Sequence, residues 1–379
     1  MKKKIDPKVE EAVDTLGLTA VARRRLLSGA GLVSATAAAS ALLAACSNEN
    51  KSNAGAQEDG PGDFPKTPNW RFVFINHVTT NPFFTPTQYG AQDACALLGC
   101  SFQWTGSKDS IVPEMVSATN AAISSKADGI AVAVVDKNAF RQPVDNALNQ
   151  GIPVVSYNAD GARGDPGTNR LAYVGQDLYV SGFQLGQRIA SLMEGGDAVG
   201  FIATPGSLNI QPRIDGAKDA IKQSGKSINF ADVASGAELP KELSTIDAYY
   251  QGHKNLKGMF AVDAGSTENV GKVVAKYDLK SKGVAAGGFD LNPSTLQSIK
   301  AGHLDFTIDQ QPYLQGFLPV LYLWMYKLSG GLVAPSETNT GLLFVTKDNV
   351  DPYLTTKTRY EGSTTQQKLG SRSGPIPHK

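Results

Sequence analysis

The sequence predicts an α/β fold made of two doubly wound parallel-sheet lobes joined by a three-segment hinge. From Trp70 onward, short apolar segments alternate with segments of helical periodicity. The apolar segments are continuously hydrophobic, as at 129–135, which is typical of parallel strands buried on both faces. The alternation continues to about residue 346, a length that fits two domains better than one.

The first series opens with the apolar strand 71–75, which ends at Asn76. Helix 82–98 follows, because apolar residues recur there at helical spacing and Gly99 ends the pattern. Strand and helix then alternate to the end of this series. The remaining elements are strand 101–104, helix 111–125, strand 129–135, helix 139–150 and strand 152–157.

The second series begins near Leu171 and repeats the alternation. Helix 314–328, close to its end, is strongly apolar, but it is too short to span a bilayer and contains Pro319, which favours a core position. The elements of this series are helix 178–193, strand 198–203, helix 212–223, strand 227–233, helix 240–253, strand 258–262, helix 267–276, strand 283–289, helix 293–301, strand 303–309, helix 314–328 and strand 342–345.

We expect the chain to cross between the lobes three times, near 172–175, 309–311 and 336–342. Three connections permit a bending motion and restrict twisting. The predicted boundaries follow from these crossings and from the polar character of the chain ends. They are a leader at 1–45, a flexible tether at 46–68, a first lobe at 69–174 and 311–336, a second lobe at 175–310 and 337–350, and a polar tail at 351–379.

The first 45 residues have the pattern of a targeting segment. Arg23-Arg24 precede a weakly apolar run that ends in Leu43-Ala44-Ala45-Cys46, and the whole resembles a twin-arginine signal joined to a bacterial lipoprotein cleavage box. The alternative is a buried or membrane helix, which the Gly, Ser and Thr content disfavours. We expect export and a lipid anchor at Cys46 on the outer face of the cytoplasmic membrane, or in the periplasm or cell envelope.

Composition excludes several classes of protein. Lys and Arg number 36 against 35 Asp and Glu, and the formal net charge of +1 provides no basic surface for nucleic acid. Three cysteines are too few for a disulfide scaffold or a Cys-rich metal site. The four histidines lie far apart in sequence, so we predict surface or loop positions for them, no metal and no cofactor.

Polar and aromatic residues gather after the predicted strands. In open parallel sheets, ligands bind beyond the carboxyl ends of the strands. Amides, carboxylates and a guanidinium pair with hydroxyl groups, and aromatic rings pack on C–H surfaces, so this set suits a sugar or polyol. Trp104, which ends the second strand, is a further candidate for which a core position is the alternative. The other candidate ligand-binding residues are Asn81, Phe83, Phe84, Asn158, Arg213, Asp263, Asp290 and Gln310.

Six short motifs occur in a fixed order along the chain. They are Asn81-Pro82-Phe83-Phe84, Gly90-Ala91, Ala127-Asp128-Gly129-Ile130, Gly151-Ile152-Pro153-Val154, Gly288-Phe289-Asp290, and Thr307-Ile308-Asp309-Gln310-Gln311-Pro312 with Gly316. With these motifs, residues 70–346 resemble periplasmic sugar-binding proteins of the ribose-binding type, the solute receptors of ABC importers, which have the type I periplasmic-binding-protein fold. Regulators of the LacI type share that fold but begin with a helix-turn-helix, where this chain has an export signal.

The resemblance implies capture of a sugar or polyol by hinge closure and delivery to a membrane permease driven by its ATPase. It also implies that Asn158-Ala159 replace the Asp-Arg pair with which relatives grip the ring oxygen and anomeric region of a cyclic sugar. We therefore expect a ligand without an anomeric centre, such as a linear tetritol or pentitol or a cyclitol. Arg163 in the next loop is a candidate replacement for the missing guanidinium. The first-lobe contacts implied are Asn81, Phe83 and Phe84, and the second-lobe or hinge contacts are Arg213, Asp263, Asp290 and Gln310.

Two alternatives to a transport receptor stay open. One is a signalling receptor whose closed form engages a sensor, and nothing in the sequence separates it from transport. The other is an enzyme, since Asp263 and Asp290 could form the carboxylate pair of a glycosidase. The chain has no GxSxG, P-loop or HExxH motif and no GxGxxG after a strand. We predict a monomeric binding protein that is not an enzyme.

Cys95 and Cys100 flank the predicted end of the first helix. With Gly99 at the C′ position, a Schellman cap would bring residues 95 and 100 into contact. Their Cα atoms could then lie within disulfide range, and an exported protein meets oxidising conditions. We predict a disulfide between Cys95 and Cys100, with two buried thiols as the alternative.

Overall fold

The computed structural model describes residues 66–161 and 168–355. Several predictions therefore lie outside the described residues. They are the leader at 1–45, most of the tether at 46–68 with Cys46, the Arg163 loop, and the tail beyond residue 355.

Six parallel strands form the first sheet, in the order β11-β5-β4-β3-β1-β2. The residues of β3 and β4 are all buried, as expected for parallel strands with helices on both faces. The strands are β1 (Arg71–Asn76), β2 (Ser101–Gly106), β3 (Gly129–Val132), β4 (Val154–Tyr157), β5 (Ala172–Gly175) and β11 (Glu337–Asn339).

The second sheet has the order β12-β10-β9-β8-β6-β7 and is parallel except for the antiparallel edge pair β10 and β12. Two apolar clusters of buried residues pack around it, and a third packs around the first sheet. The strands are β6 (Gly195–Ile202), β7 (Ser227–Ala234), β8 (Gly258–Ala261), β9 (Ala285–Phe289), β10 (Phe306–Asp309) and β12 (Leu343–Val345).

The helices cover both sheets, and a short 3-10 turn at Pro82–Phe84 precedes the first of them. They are α1 (Thr85–Leu98), α2 (Val112–Ser124), α3 (Lys137–Asn149), α4 (Leu178–Leu192), α5 (Gln211–Gln223), α6 (Leu239–Gly252), α7 (Ala264–Lys276), α8 (Pro293–Ala301), α9 (Leu314–Ser329) and α10 (Asp351–Thr355). Helix α9 packs on α1 and on strands of the first sheet. We call the first sheet with α1, α2, α3 and α9 the first lobe, and the second sheet with the other helices the second lobe.

The chain passes between the two sheets at three places, which are residues 176–177, 310–313 and 340–342. Strand β5, of which residues 172–174 fell within the predicted first lobe, pairs with β4 in the first sheet. One strand, β11, lies in a different sheet from the one that the predicted boundaries gave it. Residues 337–350 were assigned to the second lobe, but β11 pairs with β5, so this boundary is wrong for the first three of them. The sequence of β11 is Glu-Thr-Asn, which has no apolar residue and hence no strand signal.

Helices α4 and α5 of the second lobe touch at two glycines. A Cβ atom on Gly182 would lie 2.2 Å from the carbonyl oxygen of Arg213, and one on Gly216 would lie 2.3 Å from the carbonyl oxygen of Tyr179. Since neither glycine has a Cβ, the two helix backbones approach closely. This contact fixes the position of the first turn of α5, which carries Arg213.

Within the described residues, no helix combines the length and the hydrophobicity that a membrane span requires. The apolar helix α9 contains Pro319 and buries Val320, Leu323 and Trp324 against the first lobe. The prediction of a core position for this helix is therefore confirmed.

The end of α1 has the predicted cap. Gly99 has a φ of 66°, and the carbonyl oxygen of Cys95 accepts hydrogen bonds from the backbone N–H groups of Gly99 and Cys100. Both cysteines are free thiols, so the predicted disulfide between Cys95 and Cys100 is not formed in this structure. The two sulfur atoms hydrogen-bond instead, which raises the pKa of Cys95 and lowers that of Cys100.

Candidate functional site

A cleft lies between the carboxyl ends of the two sets of strands and is lined by residues of both lobes. It encloses about 540 Å³, a volume that includes space open to solvent. Eight of the nine sequence-predicted ligand-binding residues line it. They are Asn81, Phe83, Phe84, Asn158, Arg213, Asp263, Asp290 and Gln310.

The first lobe contributes an aromatic wall. The side-chain oxygen of Asn81 accepts a hydrogen bond of 3.0 Å from the backbone N–H of Phe83 and so caps the 3-10 turn. The turn directs two rings into the cleft, with Phe83 and Phe84 edge to face and 4.7 Å between ring centroids. Such a wall can pack on the C–H face of a sugar ring or polyol chain.

Asn158 links this wall to the hinge. It has a left-handed backbone with φ of 61°, and its side-chain nitrogen donates to the Gln315 oxygen at 3.0 Å. Gln315 in turn donates to the side-chain oxygen of Gln310 at 3.1 Å, so three amides form one chain across the crossing at 310–313. Ala159 is fully buried and does not line the cleft. The arginine among the described residues of this loop, Arg170, pairs with Asp160 and Glu337 and does not line the cleft either.

Arg213 provides the guanidinium of the second lobe. Its two terminal nitrogens donate to the Val262 carbonyl at 2.8 Å and to the Gln176 side-chain oxygen at 3.1 Å. The group lies 4.0 Å from the centroid of the Phe289 ring. Burial lowers the pKa of Arg213, an effect that nearby Asp290 opposes. The Nε atom has no hydrogen-bond partner in the protein, so it remains available to a ligand acceptor.

Asp290 lies beside Arg213 at the end of β9. Its backbone is left-handed with φ of 76°, its carbonyl accepts from the Thr307 hydroxyl at 2.7 Å, and its carboxylate accepts from the Gln310 amide at 2.6 Å. Burial raises the pKa of Asp290 to about 7, although Arg213 and the Gln310 amide act against this rise.

Asp263 and Glu242 form a pair of buried carboxyl groups in the same cleft. Asp263 caps α7, and its two oxygens accept from the backbone N–H groups of Ser266 at 2.9 Å and Ala203 at 3.0 Å. Glu242, on α6, lies beside it: the Ser266 backbone N–H donates to Asp263, and the Ser266 hydroxyl donates to Glu242 at 3.5 Å. Sequence reasoning missed Glu242, because it lies inside a helix and not after a strand.

His77 is also part of the cleft; it lies in the loop after β1, as one of the two predicted positions has it, but it is only 5% exposed and hence not at the surface. Its Nε2 atom lies 3.1 Å from the side-chain nitrogen of Asn209 in the second lobe, while Nδ1 is buried without a partner. If Asn209 donates, His77 is neutral with its proton on Nδ1, and burial lowers its pKa to about 4. His77 directly follows the Asn76 that ends β1, so the strand-end rule could have identified it.

Trp104 does not line the cleft, which corrects its assignment as a ligand-binding residue. Its indole N–H donates to the Thr79 carbonyl at 3.3 Å, and its ring stacks on Phe74 with 5.9 Å between centroids. The ring also lies 5.9 Å from that of Phe84. Trp104 therefore supports the aromatic wall from behind, which is the alternative considered for it.

The chemistry of the cleft suits a neutral, polyhydroxylated molecule. Arg213 Nε–H and His77 Nδ1 are buried without partners among the residues that the structure describes. Arg213 Nε–H needs an acceptor oxygen, and so does His77 Nδ1 when it carries the proton. The carboxyl groups of Asp263 and Asp290 can accept from hydroxyl groups. A hydroxyl group both donates and accepts, so a molecule with several hydroxyl groups can satisfy the nitrogen donors and the carboxylate acceptors of the cleft.

Comparisons with known proteins agree with this geometry. A family model described as a periplasmic binding protein domain matches residues 72–330, which include every cleft residue discussed above. The Xylose/arabinose-binding protein XylF of Sulfolobus acidocaldarius is 52% identical over 318 residues, which are 81% of this chain and 78% of that protein.

Two solved structures are similar at 25% identity or slightly above. A carbohydrate transporter protein of Acidothermus cellulolyticus in complex with myo-inositol has a TM-score of 0.68 and 26% identity, covering 78% of this chain and 100% of the other. An ABC transporter solute-binding protein of Burkholderia graminis in complex with D-arabinose has a TM-score of 0.69 and 25% identity, covering 75% of this chain and 98% of the other.

Proposed function

The chain belongs to the periplasmic binding protein family, and from this membership we propose that it is the extracytoplasmic solute-binding receptor of an ABC importer for a sugar or polyol. The observation that carries the proposal is the convergence, in one cleft, of aromatic residues from the first lobe with Arg213, Asp263 and Asp290 from the second. The family and the close relative are binding proteins, and the proposal requires binding without chemistry.

The mechanism follows from the position of the cleft between the lobes. A ligand that touches both lobes interacts more strongly with the closed arrangement than with an open one, so it shifts the population towards closure. The three chain crossings act as the hinge. The closed form then docks on a permease whose ATPase drives uptake.

An aldopentose is the first ligand candidate, because the relative at 52% identity is named for xylose and arabinose. A linear polyol or a cyclitol is the second candidate. One reason is that Asn158-Ala159 lack the guanidinium that would hydrogen-bond to an anomeric centre. The other is that a structural relative has myo-inositol bound.

Export and anchoring complete the proposal. We propose that Arg23-Arg24 direct export and that Cys46 carries the lipid that holds the receptor at the outer membrane face. Replacing Cys46 with Ser should release the protein from the membrane fraction, whereas retention of this variant in the membrane would contradict a lipid anchor at this residue.

A thermal-shift screen tests the ligand assignment. The probes are D-xylose, L-arabinose, D-arabinose, xylitol and myo-inositol, and a ligand at 100 times its Kd adds about 2.7 kcal/mol to the free energy of unfolding. We expect at least one probe to raise the unfolding midpoint and the Asp290→Ala variant to lose that rise. If neither these probes nor any further sugar or polyol raises the unfolding midpoint, the cleft binds another class of ligand.

A further inference from the structure

Glu242 is a cleft residue to which neither the strand-end pattern nor the family motifs assign a role. It is 2% exposed, and its carboxyl group lies against the backbone of Gly265, where a Cβ atom would be 2.1 Å from Oε2. Its two oxygens lie 3.5 Å from the Ser266 hydroxyl and 3.5 Å from the Asn269 amide nitrogen. Asp263 is its neighbour: the Ser266 backbone N–H donates to Asp263 at 2.9 Å, while the hydroxyl of the same serine is the one that lies 3.5 Å from Glu242.

The charges around Glu242 are negative or absent. From α7, Asp263 and Glu268 face it, together with the neutral side chains of Ser266 and Asn269. Lys241, beside it on α6, packs its aliphatic chain over Gly236. Among the ion pairs formed by the described residues, none includes Glu242.

Two neighbouring buried carboxyl groups cannot both ionise at low cost, so they share one proton. The guanidinium of Arg213 interacts with Asp263 and favours the charged form of that member of the pair. Two backbone N–H groups donate to Asp263 and stabilise its charged form. Glu242 has no such donors at comparable distances, so the proton resides on Glu242. Burial, followed by the charge of Asp263, raises the pKa of Glu242 to about 9.

We propose that Glu242 is a specificity-determining residue. It acts as a neutral carboxylic acid whose O–H donates a hydrogen bond to the Asp263 carboxylate, so that the pair presents one negative charge to the ligand. The Asp263 carboxylate then accepts from a ligand hydroxyl while held by Glu242 on its other side. Loss of the Glu242 proton places a second charge in the cleft and disrupts this arrangement. This inference rests on the proposed function and deepens it.

A second observation supports a ligand at this position. Arg213 Nε and His77 Nδ1, in side chains 3% and 5% exposed, line the same cleft and have no partner in the protein. A neutral polyol can supply acceptors to both while its hydroxyl groups donate to Asp263.

Isothermal titration with D-xylose between pH 6 and 10 tests the proposal, with xylitol as the probe if D-xylose gives no midpoint shift. For the wild-type chain we expect a Kd that rises towards tenfold per pH unit above about pH 9, as loss of one required proton dictates. Ionisation of Asp290 near pH 7 changes the Kd in the wild-type chain and in the Glu242 variant alike, so the comparison rests on the range above pH 8. Glu242→Gln keeps a neutral donor, so its Kd at pH 7 should stay within about threefold of wild type and its alkaline rise should disappear.

Asp232→Asn is the control, because Asp232 pairs with Lys218 outside the cleft and is not among the charges that act on Glu242, so this variant should retain the wild-type profile. A wild-type Kd that stays flat to pH 10, or an alkaline rise that persists in a folded Glu242→Gln chain, would overturn the proposal. If Glu242→Gln does not fold, the wild-type chain is titrated near pH 9 in buffers of different ionisation enthalpy. The proposal requires binding to take up a fraction of a proton from the buffer, so the observed binding enthalpy must change with the buffer. Absence of binding by any sugar or polyol at pH 7 would instead reject the proposed function itself.

Discussion

Asp290 is the residue whose ionisation most directly links ligand binding to stability. Its side chain is buried, and its folded-state pKa of about 7 lies above the ordinary value of 3.8. Between these values the folded chain binds a proton that the unfolded chain releases, so the free energy of unfolding falls as pH rises from about 4 to about 7 and stays lower above that.

Replacing Asp290 with Asn should therefore raise the free energy of unfolding of the unliganded protein at pH 8, by up to about 4 kcal/mol, and should make its decline between pH 4 and 7 shallower. The part of the decline due to Glu242, whose pKa is raised to about 9, should remain. Ligand binding should be weakened, because the negative charge and one of the two acceptor oxygens beside Arg213 are gone. Urea unfolding at pH 5 and pH 8 measures the first effect and titration measures the second. The exposed ion-pair variant Asp232→Asn should change the free energy by less than about 1 kcal/mol, and an equal effect of both variants would contradict the argument.

The cleft residues differ in how far sequence alone could identify them. Asp263 and Asp290 follow strands directly, so the rule that ligands bind beyond strand ends located them. His77 satisfied the same rule, but a lone histidine without metal-ligand spacing carries no chemical signal of its own. Glu242 was not predictable, since its role depends on a distance across two helices. Trp104 was predicted to end a strand, but β2 continues to Gly106, so Trp104 lies within the strand and packs behind the aromatic wall.

At the scale of elements, the contact between α4 and α5 determines where the guanidinium of Arg213 lies. Gly182→Ala would place a Cβ atom 2.2 Å from the Arg213 carbonyl oxygen and must push α5 outward. We expect the free energy of unfolding to fall by about 1–3 kcal/mol, as for other overpacked sites, and the Kd for the sugar to rise at least about tenfold. Gly252→Ala, at the end of α6 with no atom within 4 Å, is the control and should leave both quantities unchanged. A stable, tight-binding Gly182→Ala chain would show that α4 does not position Arg213.

Most elements were predictable because their burial leaves a pattern in the sequence. Helix α8 was predicted with its observed bounds of 293 and 301, since Pro and Gly mark its ends. Strand β3 ends at Val132, earlier than the apolar run to 135 suggested, because the next residues are buried in the turn towards α3. Strand β11 is polar and lies at a sheet edge, so its existence depends on pairing with β5 and not on its own composition.

At the scale of the whole molecule, two kinds of contact join the lobes. One is the amide chain of Asn158, Gln315 and Gln310, which also reaches the third crossing where the Thr340 hydroxyl donates to the Gln310 carbonyl at 2.7 Å. The other is the loop 204–211, which reaches from the second lobe to the first. The amide chain lies at the hinge and can persist through bending, whereas the loop lies across the cleft.

The loop contacts should therefore exist only in the closed form. The Leu208 backbone N–H donates to the Val135 carbonyl at 3.0 Å, its side chain packs against the apolar cluster of the first lobe, and Asn209 lies 3.1 Å from His77. Contacts made in one state alone shift the equilibrium by their full free energy. The unliganded chain is therefore already biased towards the closed form. The apparent Kd for the sugar depends on the fraction of chains that are closed before the sugar binds.

Leu208→Ser removes the apolar part of this contact and leaves every polar cleft residue in place. We expect a larger radius of gyration in X-ray scattering of the unliganded chain and a return to the wild-type radius at saturating sugar. The sugar Kd should rise by about tenfold, because removing roughly 1.4 kcal/mol from the closed state shifts the ratio of closed to open chains by a factor of about ten. Leu97→Ser, at a side chain 73% exposed on α1, is the control and should leave radius and Kd unchanged. If Leu208→Ser alters neither quantity, the loop contributes nothing to closure, and the ligand itself must supply the whole free energy that brings the two lobes together.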